Sequence, residues 1–136
     1  MPPAQSNLAI NTELFLQLSE TLTGFSRSEL QGSGSVEDYL ALVHNTLGER
    51  LFERLITTWA GVASESDPDA RAALLEARVL ESDLLGPVAR NIIKLWLVGI
   101  WPELPRAWRM RWGGDPLDLK HLLSDSRFGE GPSLPN

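Results

Sequence analysis

The stretch VARNIIKLWLVGI, Val88 to Ile100, decides the fold class of this 136-residue chain. In a helix of this sequence apolar side chains occupy most sides, and a helix that is apolar nearly all round is buried among other elements. Gly86-Pro87 precedes the stretch and Pro102 follows it, so residues typical of helix boundaries stand at both ends. The stretch is therefore predicted to be the central helix of a helical domain.

Three apolar stripes at steps of three and four residues lie upstream and predict three further helices. Thr12 is predicted to cap the first helix, and Gly24 to end it. The second begins at Ser35, which stands three residues before Asp38 as in an acidic capping box, and Gly48 interrupts or ends it. The apolar positions of the three stripes are Leu14, Phe15, Leu18, Leu22 and Phe25; Val36, Tyr39, Leu40, Val43 and Leu47; and Leu51, Phe52, Leu55, Ile56 and Trp59.

A fifth helix is predicted from Asp67-Pro68, with the aspartate as N-cap and an alanine-rich run, 70–85, behind it. Prolines at positions 102 and 105 end the regular pattern, and no alternating pattern typical of a strand occurs. The predicted fold is all-α: a single domain, residues 1–128, of five or six helices. An irregular C-terminal arm begins at about residue 102, and residues 129–136, rich in Gly, Pro and Ser, form an extended tail.

The composition of the chain excludes or argues against several classes of protein. Apolar residues make up 43% and charged residues 22% of the chain, which is ordinary for a globular domain. With zero cysteines, neither a disulfide framework nor a cysteine-ligated metal site can form. A net charge of −6 argues against a nucleic-acid binder, which needs a basic face for phosphates. No apolar run approaches the ~18–20 residues of a membrane span.

No pattern of residues indicates catalysis. The two histidines, His44 and His121, are far apart in sequence, and neither has a ladder of carboxylates and histidines around it, so a half-buried or surface imidazole is expected rather than a metal ligand. The Gly32-Ser-Gly-Ser35 turn lacks the downstream lysine of a phosphate loop. We therefore predict no catalytic, cofactor-binding or metal-binding residue in this chain, which would then not be an enzyme on its own.

Charge and tryptophan are distributed unevenly. Residues 1–86 carry thirteen acids and five bases, whereas residues 87–113 carry one acid and five bases. Four of the five tryptophans fall in that basic window, and Trp and Arg are the residue types most enriched at binding hot spots. Trp96, within the apolar helix, is expected in the core. The predicted partner interface consists of Trp101, Arg106, Trp108, Arg109, Arg111 and Trp112.

Two segments together resemble a known family. FLQLSETLTG (15–24), followed by LQGSG (30–34) and Tyr39-Leu40, resembles the N-terminal signature of the sorbitol dehydrogenase small subunit, also called gluconate 2-dehydrogenase subunit 3. IIKLWLVGIWP (92–102) is similar to the I-x-x-L-W-Y-x-G-x-W block of that family, with Leu97 where the family commonly has Tyr. The two segments have the order and spacing of the family.

The resemblance implies a small helical subunit without a cofactor of its own. Such subunits bind an FAD-dependent flavoprotein of the glucose–methanol–choline class, assist its maturation and accompany it through twin-arginine export, and a haem-bearing subunit often completes the complex. FAD and the catalytic residues are accordingly expected on the large partner. The chain is expected in the periplasm if a signal has been removed and in the cytoplasm if it is complete, because residues 1–12 contain neither a basic residue nor an apolar core. The alternative function is a self-associating helical adaptor unrelated to redox enzymes.

Overall fold

The computed structural model describes the backbone of residues 3–113 and the side chains of residues 8–113. The chain divides between Glu103 and Leu104 into two compact units, the first formed by residues 1–103. Of the second unit, residues 104–113 are described. The predicted domain end at 128 and the predicted tail, 129–136, lie outside the described residues.

The predicted all-α fold is confirmed. Residues 3–113 form seven α-helices and one π-helical turn and contain no strand. None of these described helices is both long enough and apolar enough to cross a membrane. The helices are α1 (Pro3–Thr23), α2 (Arg27–Gly32), α3 (Val36–Leu47), α4 (Glu49–Ala63), α5 (Pro68–Leu75), α6 (Leu85–Val98) and α7 (Arg106–Trp112), and the π-helical turn is Glu76–Leu80.

The core of the first unit is built from the predicted apolar stripes. Phe15 and Leu18 on α1, Phe52 and Leu55 on α4, and Ile92 on α6 are all at most 1% exposed. α6 packs against α1 and against the π-helical turn, while α1 also contacts α3 and α4. Among the described helices, α1 has the most extensive set of helix neighbours, α2, α3, α4 and α6, so the central position predicted for the stretch 88–100 belongs to α1 instead. Burial of apolar area of this kind supplies the main driving force for folding such a domain.

One predicted helix start and one predicted capping bond differ from the structure, whereas the predicted start of the second helix at Ser35 is confirmed. α1 begins at Pro3 rather than after Thr12, and the Thr12 hydroxyl instead donates a hydrogen bond to the Leu8 carbonyl oxygen, 2.8 Å away, inside the helix. Ser35 precedes α3 but makes no side-chain capping bond. The complete capping box stands one helix earlier, where Ser26 and Glu29 exchange side-chain-to-backbone bonds at the start of α2.

Three other predicted boundaries are confirmed. α1 ends immediately before Gly24 and α3 immediately before Gly48, whose φ of +83° suits a residue without a side chain. Asp67 caps α5, because its carboxylate accepts a hydrogen bond from the Ala70 amide at 3.0 Å.

The run 70–85, predicted as one helix ended by Gly86-Pro87, is interrupted earlier. It widens into the π-helical turn after Leu75 and ends before Ser82, whose hydroxyl accepts hydrogen bonds from the Leu84 and Leu85 amides. Gly86 then lies in the first turn of α6, where an added Cβ would stand 2.7 Å from the Leu80 carbonyl oxygen. The close approach of these two backbones requires glycine at that position.

The arm predicted as irregular from about residue 102 contains a short helix. Residues 101–105 are non-helical, and Arg106–Trp112 then form α7. Seven residues are too few for an apolar stripe to be recognised in the sequence, because two helical turns hold only two or three positions on one face.

Candidate functional site

Trp96, on α6, is the centre of an aromatic cluster in the first unit. Its indole ring meets the Tyr39 ring edge-on at 4.8 Å between centroids and the Phe15 ring at 6.3 Å. Its Nε1 donates a hydrogen bond to the Ser19 hydroxyl oxygen at 2.9 Å. Ser19 is completely buried, so this bond satisfies a hydroxyl group that has lost contact with water. The cluster therefore joins α1, α3 and α6 by ring contacts and one buried hydrogen bond.

The end of α6 lies beside the same cluster. Gly99 terminates the helix in the left-handed conformation, with φ of +74°, and its amide donates to the Leu95 carbonyl oxygen at 2.9 Å. An added Cβ on Gly99 would stand 3.7 Å from the Tyr39 hydroxyl. Phe15, Ser19, Tyr39, Trp96 and Gly99 belong to the segments on which the family resemblance rests, and the fold brings these segments together.

Large apolar side chains extend outward from the end of α6. Leu97, Val98 and Ile100 are 58%, 65% and 60% exposed. Arg90 and Lys94 are exposed on the same helix, and the spacing 90, 94, 97 and 98 places all four helical residues on one face. We call Arg90, Lys94, Leu97, Val98 and Ile100 the α6 stripe.

The α6 stripe was missed by the sequence analysis, which assigned the apolar residues of this helix to the core. The signal that could have found it is the position of Leu97 and Val98 relative to the two cations. A face that begins with Arg and Lys is a solvent face, so apolar residues seven and eight positions after Arg90 continue that face instead of the buried one.

Helix α7, in the second unit, holds most of the predicted interface. The Arg111 guanidinium lies 4.5 Å from the centre of the Trp112 ring, a cation–π distance, and the Trp108 and Trp112 ring centroids are 5.9 Å apart. The Arg109 guanidinium donates to the Leu104 carbonyl oxygen at 2.7 Å. These contacts make α7 a compact Trp/Arg element.

The six predicted interface residues differ in exposure. Arg106 and Arg111 are exposed, whereas Arg109 and Trp112 are half-buried and Trp108 is only 6% exposed. Trp101 is half-buried in the first unit. On α7 the exposed residues therefore include the two arginines at its ends and also Met110, which is 54% exposed and was not predicted.

Two further polar contacts of the first unit involve His44 and Glu13. His44 is half-buried, as expected, with its Nε2 2.7 Å from a Glu49 carboxylate oxygen and its ring stacked on Phe52. Hydrogen bonds from Arg27 to the Glu13 carboxylate lower the pKa of that carboxyl below its ordinary value. His121 lies outside the described residues.

The described residues include clefts but no metal-ligating group. Within residues 3–113 no three His, Asp or Glu side chains are grouped so that they could hold a metal ion. One cleft of about 220 Å³ is lined by Thr12, Leu16, Gln31, Gly34, Val36 and Glu37, and one of about 210 Å³ by Asn11, Glu49, Phe52, Glu53, Ile56 and Thr57. Comparisons of the chain with models of protein families, with curated proteins and with solved structures found no match.

Proposed function

We propose that this chain is a non-catalytic small subunit of an FAD-dependent sugar or alcohol dehydrogenase of the glucose–methanol–choline type. In this role it binds the large flavoprotein, stabilises it and assists its maturation or export. FAD and the catalytic residues belong to the partner. A haem-bearing third subunit would receive the electrons in complexes that contain one.

The aromatic cluster carries the proposal. The resemblance rests on two segments that are more than fifty residues apart in sequence, and Phe15, Ser19 and Trp96 from these segments are in direct contact. Tyr39, from the end of the first segment, completes the cluster. Packing of this kind requires all of these residues together, which gives a physical reason for finding both segments in one chain.

An interaction role is also supported by the surface. The α6 stripe exposes three large aliphatic side chains next to one another in sequence, and α7 exposes two arginines beside a half-buried tryptophan. The exposed apolar side chains of α6 and the Trp and Arg side chains of α7 are, each taken separately, residue types that occur at protein–protein interfaces.

Co-expression with the protein encoded by the neighbouring gene tests the proposal, which expects that protein to be a large FAD-dependent oxidoreductase. We expect the tagged chain to co-purify with the flavoprotein, and we expect soluble yield, FAD content and dehydrogenase activity to be higher with the chain than without it. A flavoprotein that is equally soluble, fully flavinated and equally active when expressed alone would contradict the proposal.

The predicted interface has its own test. The Arg106→Glu/Arg111→Glu variant changes only exposed residues of α7 and should weaken binding to the flavoprotein. Trp108→Ala serves a different purpose, because Trp108 is buried: loss of helicity on circular dichroism would assign it to packing. Arg50→Glu/Arg54→Glu on α4 is the matched control, since it reverses the same two charges at exposed positions. Equal weakening by the α7 variant and this control would argue against the assignment to α7.

The alternative, a self-associating helical adaptor, is favoured by one observation. Exposed neighbouring aliphatic residues such as those of the α6 stripe also occur at contacts between identical subunits. Size-exclusion chromatography with light scattering on the chain alone distinguishes the two functions. We expect a monomer that enters a larger complex when the flavoprotein is added. A tight homo-oligomer that does not bind the flavoprotein would favour the adaptor.

A further inference from the structure

We propose that the α6 stripe is a docking surface for an apolar depression bordered by carboxylates on the partner protein. This inference rests on the proposed function and adds to it a contact site outside the predicted Trp/Arg segment. It also states the chemistry of the partner's surface: aliphatic in the centre and acidic at the edge.

The apolar end of the stripe supplies the central contact. Leu97, Val98 and Ile100 are each more than half exposed, and Gly99 between them holds the left-handed turn that separates Ile100 from the helix. Trp96 stands immediately before Leu97 on α6. Its indole donates a hydrogen bond to the buried Ser19 hydroxyl, and this bond fixes the orientation of the helix end. A rigid apolar projection loses little conformational entropy when it is buried by a partner.

The basic end of the stripe determines the charge of the partner. Arg90 and Lys94 make no ion pair with any part of the chain that the structure describes, although residues 1–103 contain fourteen acids and seven bases. Helix α6 itself contains no acidic residue. Two unpaired cations in line with an apolar projection are complementary to a surface that presents carboxylates beside an apolar depression.

A second copy of this chain fits the stripe less well. In a two-fold contact each stripe would face an identical stripe, and the absence of Asp and Glu from α6 means that such a contact supplies no acid to Arg90 or Lys94. A lipid surface also fits less well, since residues 1–103 have a net charge of −7 and would be repelled by anionic headgroups.

Two pairs of variants test the inference on the full-length chain. Leu97→Ser/Val98→Ser removes the apolar contact, and its control, Leu8→Ser/Ile10→Ser, removes a similar exposed fraction on α1, where Leu8 is 60% and Ile10 55% exposed. Arg90→Glu/Lys94→Glu reverses the charges, and its control is Arg50→Glu/Arg54→Glu, another exposed pair four residues apart. Circular dichroism verifies that all four variants retain wild-type helicity.

Binding of each variant to the purified, FAD-loaded flavoprotein encoded by the neighbouring gene is measured by biolayer interferometry at two salt concentrations. We expect each stripe variant to raise Kd by at least about tenfold and each control by less than about twofold. The charge reversal should also reduce the salt dependence of binding, because it removes attractive pairs at the edge of the interface.

The outcomes separate this inference from the proposed function. If the wild-type chain does not bind the flavoprotein, the proposed function fails and the inference fails with it. If the wild-type chain binds and the stripe variants bind equally well, only the inference is overturned. Binding of the wild-type chain to mixed phosphatidylcholine–phosphatidylglycerol vesicles that the stripe variants lose, or a wild-type dimer that these variants convert to monomer, would also overturn it in favour of a lipid surface or a second copy.

Discussion

Replacing Ser19 by alanine should destabilise the fold because it removes the only described hydrogen-bond acceptor of the Trp96 indole. The Ser19 side chain is completely buried and its oxygen lies 2.9 Å from Trp96 Nε1. The net value of one such bond is about 1 kcal/mol, and a donor left without a partner costs about 1–3 kcal/mol when buried. Because Trp96 is only half-buried, water can approach its ring, and we expect about 1–2 kcal/mol in total.

A double-mutant cycle isolates the bond from other effects of the substitution. Trp96→Phe removes the same hydrogen bond from the other side and retains a ring against Tyr39 and Phe15. If the bond is formed, the double variant is more stable than the sum of the two single losses predicts, by about 1 kcal/mol. Ser28→Ala, at an exposed position of α2, is the matched control and should stay within about 0.5 kcal/mol of wild type.

Urea unfolding followed by circular dichroism measures these free energies. Thermal melts provide a second readout, with an expected decrease of about 3–5 °C in Tm per kcal/mol for a domain of this size. A coupling energy near zero, with Ser19→Ala as mild as Ser28→Ala, would refute the reasoning. In that case the contact between α1 and α6 would be maintained by ring packing alone.

Three further predictions concern the backbone and surface charge. Gly86→Ala should lower the free energy of unfolding by about 1–3 kcal/mol in urea titrations, because its Cβ would stand 2.7 Å from a backbone carbonyl oxygen; wild-type stability would refute the close approach. Asp67→Ala should cost about 1 kcal/mol through loss of the α5 cap, whereas Ser35→Ala, which removes no capping bond, should be neutral in the same titration. Hydrogen bonds from Arg27 lower the pKa of Glu13. The pair should therefore stabilise the fold at pH values above the ordinary carboxyl pKa of about 4.3. This stabilisation should be lost as the pH falls through the lowered pKa. Glu13→Gln should therefore decrease Tm slightly at pH 7, since both groups are solvent-exposed, and should match wild type at pH 2; an equal decrease at both pH values would contradict the pairing.

The helical class could be predicted from the sequence because periodicity and boundary residues agree. Stripes at steps of three and four residues identified the buried faces of α1, α3 and α4, and Gly24, Gly48 and Asp67 marked ends that depend on local backbone geometry. Such signals act within one or two helical turns. They are therefore readable without knowledge of tertiary contacts.

The features that could not be predicted depend on contacts between distant residues. The alanine-rich run has the propensity for one continuous helix, yet it widens at Glu76–Leu80 and stops before Gly86, whose backbone approaches the Leu80 carbonyl oxygen. Ser35 and Ser26 both match a capping pattern, and only backbone geometry decides that Ser26 forms it. Tertiary packing overrides local preference in the alanine-rich run, whereas the capping box of Ser26 and Glu29 is a local motif that the S-x-x-E pattern already carries.

The sequence predicted which residue types form the candidate site better than it predicted which of their side chains are exposed. The concentration of Trp and Arg in residues 87–113 indicated the segment that contains α7, but not its helical form, and sequence carries no signal that Trp108 is buried while Met110 is exposed. The sequence did not reveal the exposure of the α6 stripe, because apolar residues on a predicted central helix are expected to lie in the core.

The residues that carry the proposed resemblance, and the one that departs from it, differ in burial. Phe15, Ser19, Tyr39 and Trp96 match the pattern and face one another inside the first unit, so they are constrained by packing. Leu97, where the family commonly has Tyr, is 58% exposed and belongs to the α6 stripe. A change from Tyr to Leu at an exposed position leaves the core intact and alters the surface offered to a partner, replacing a ring with a hydroxyl group by a purely aliphatic side chain. Under the proposed function, we expect this difference to affect which flavoprotein is bound rather than whether the chain folds.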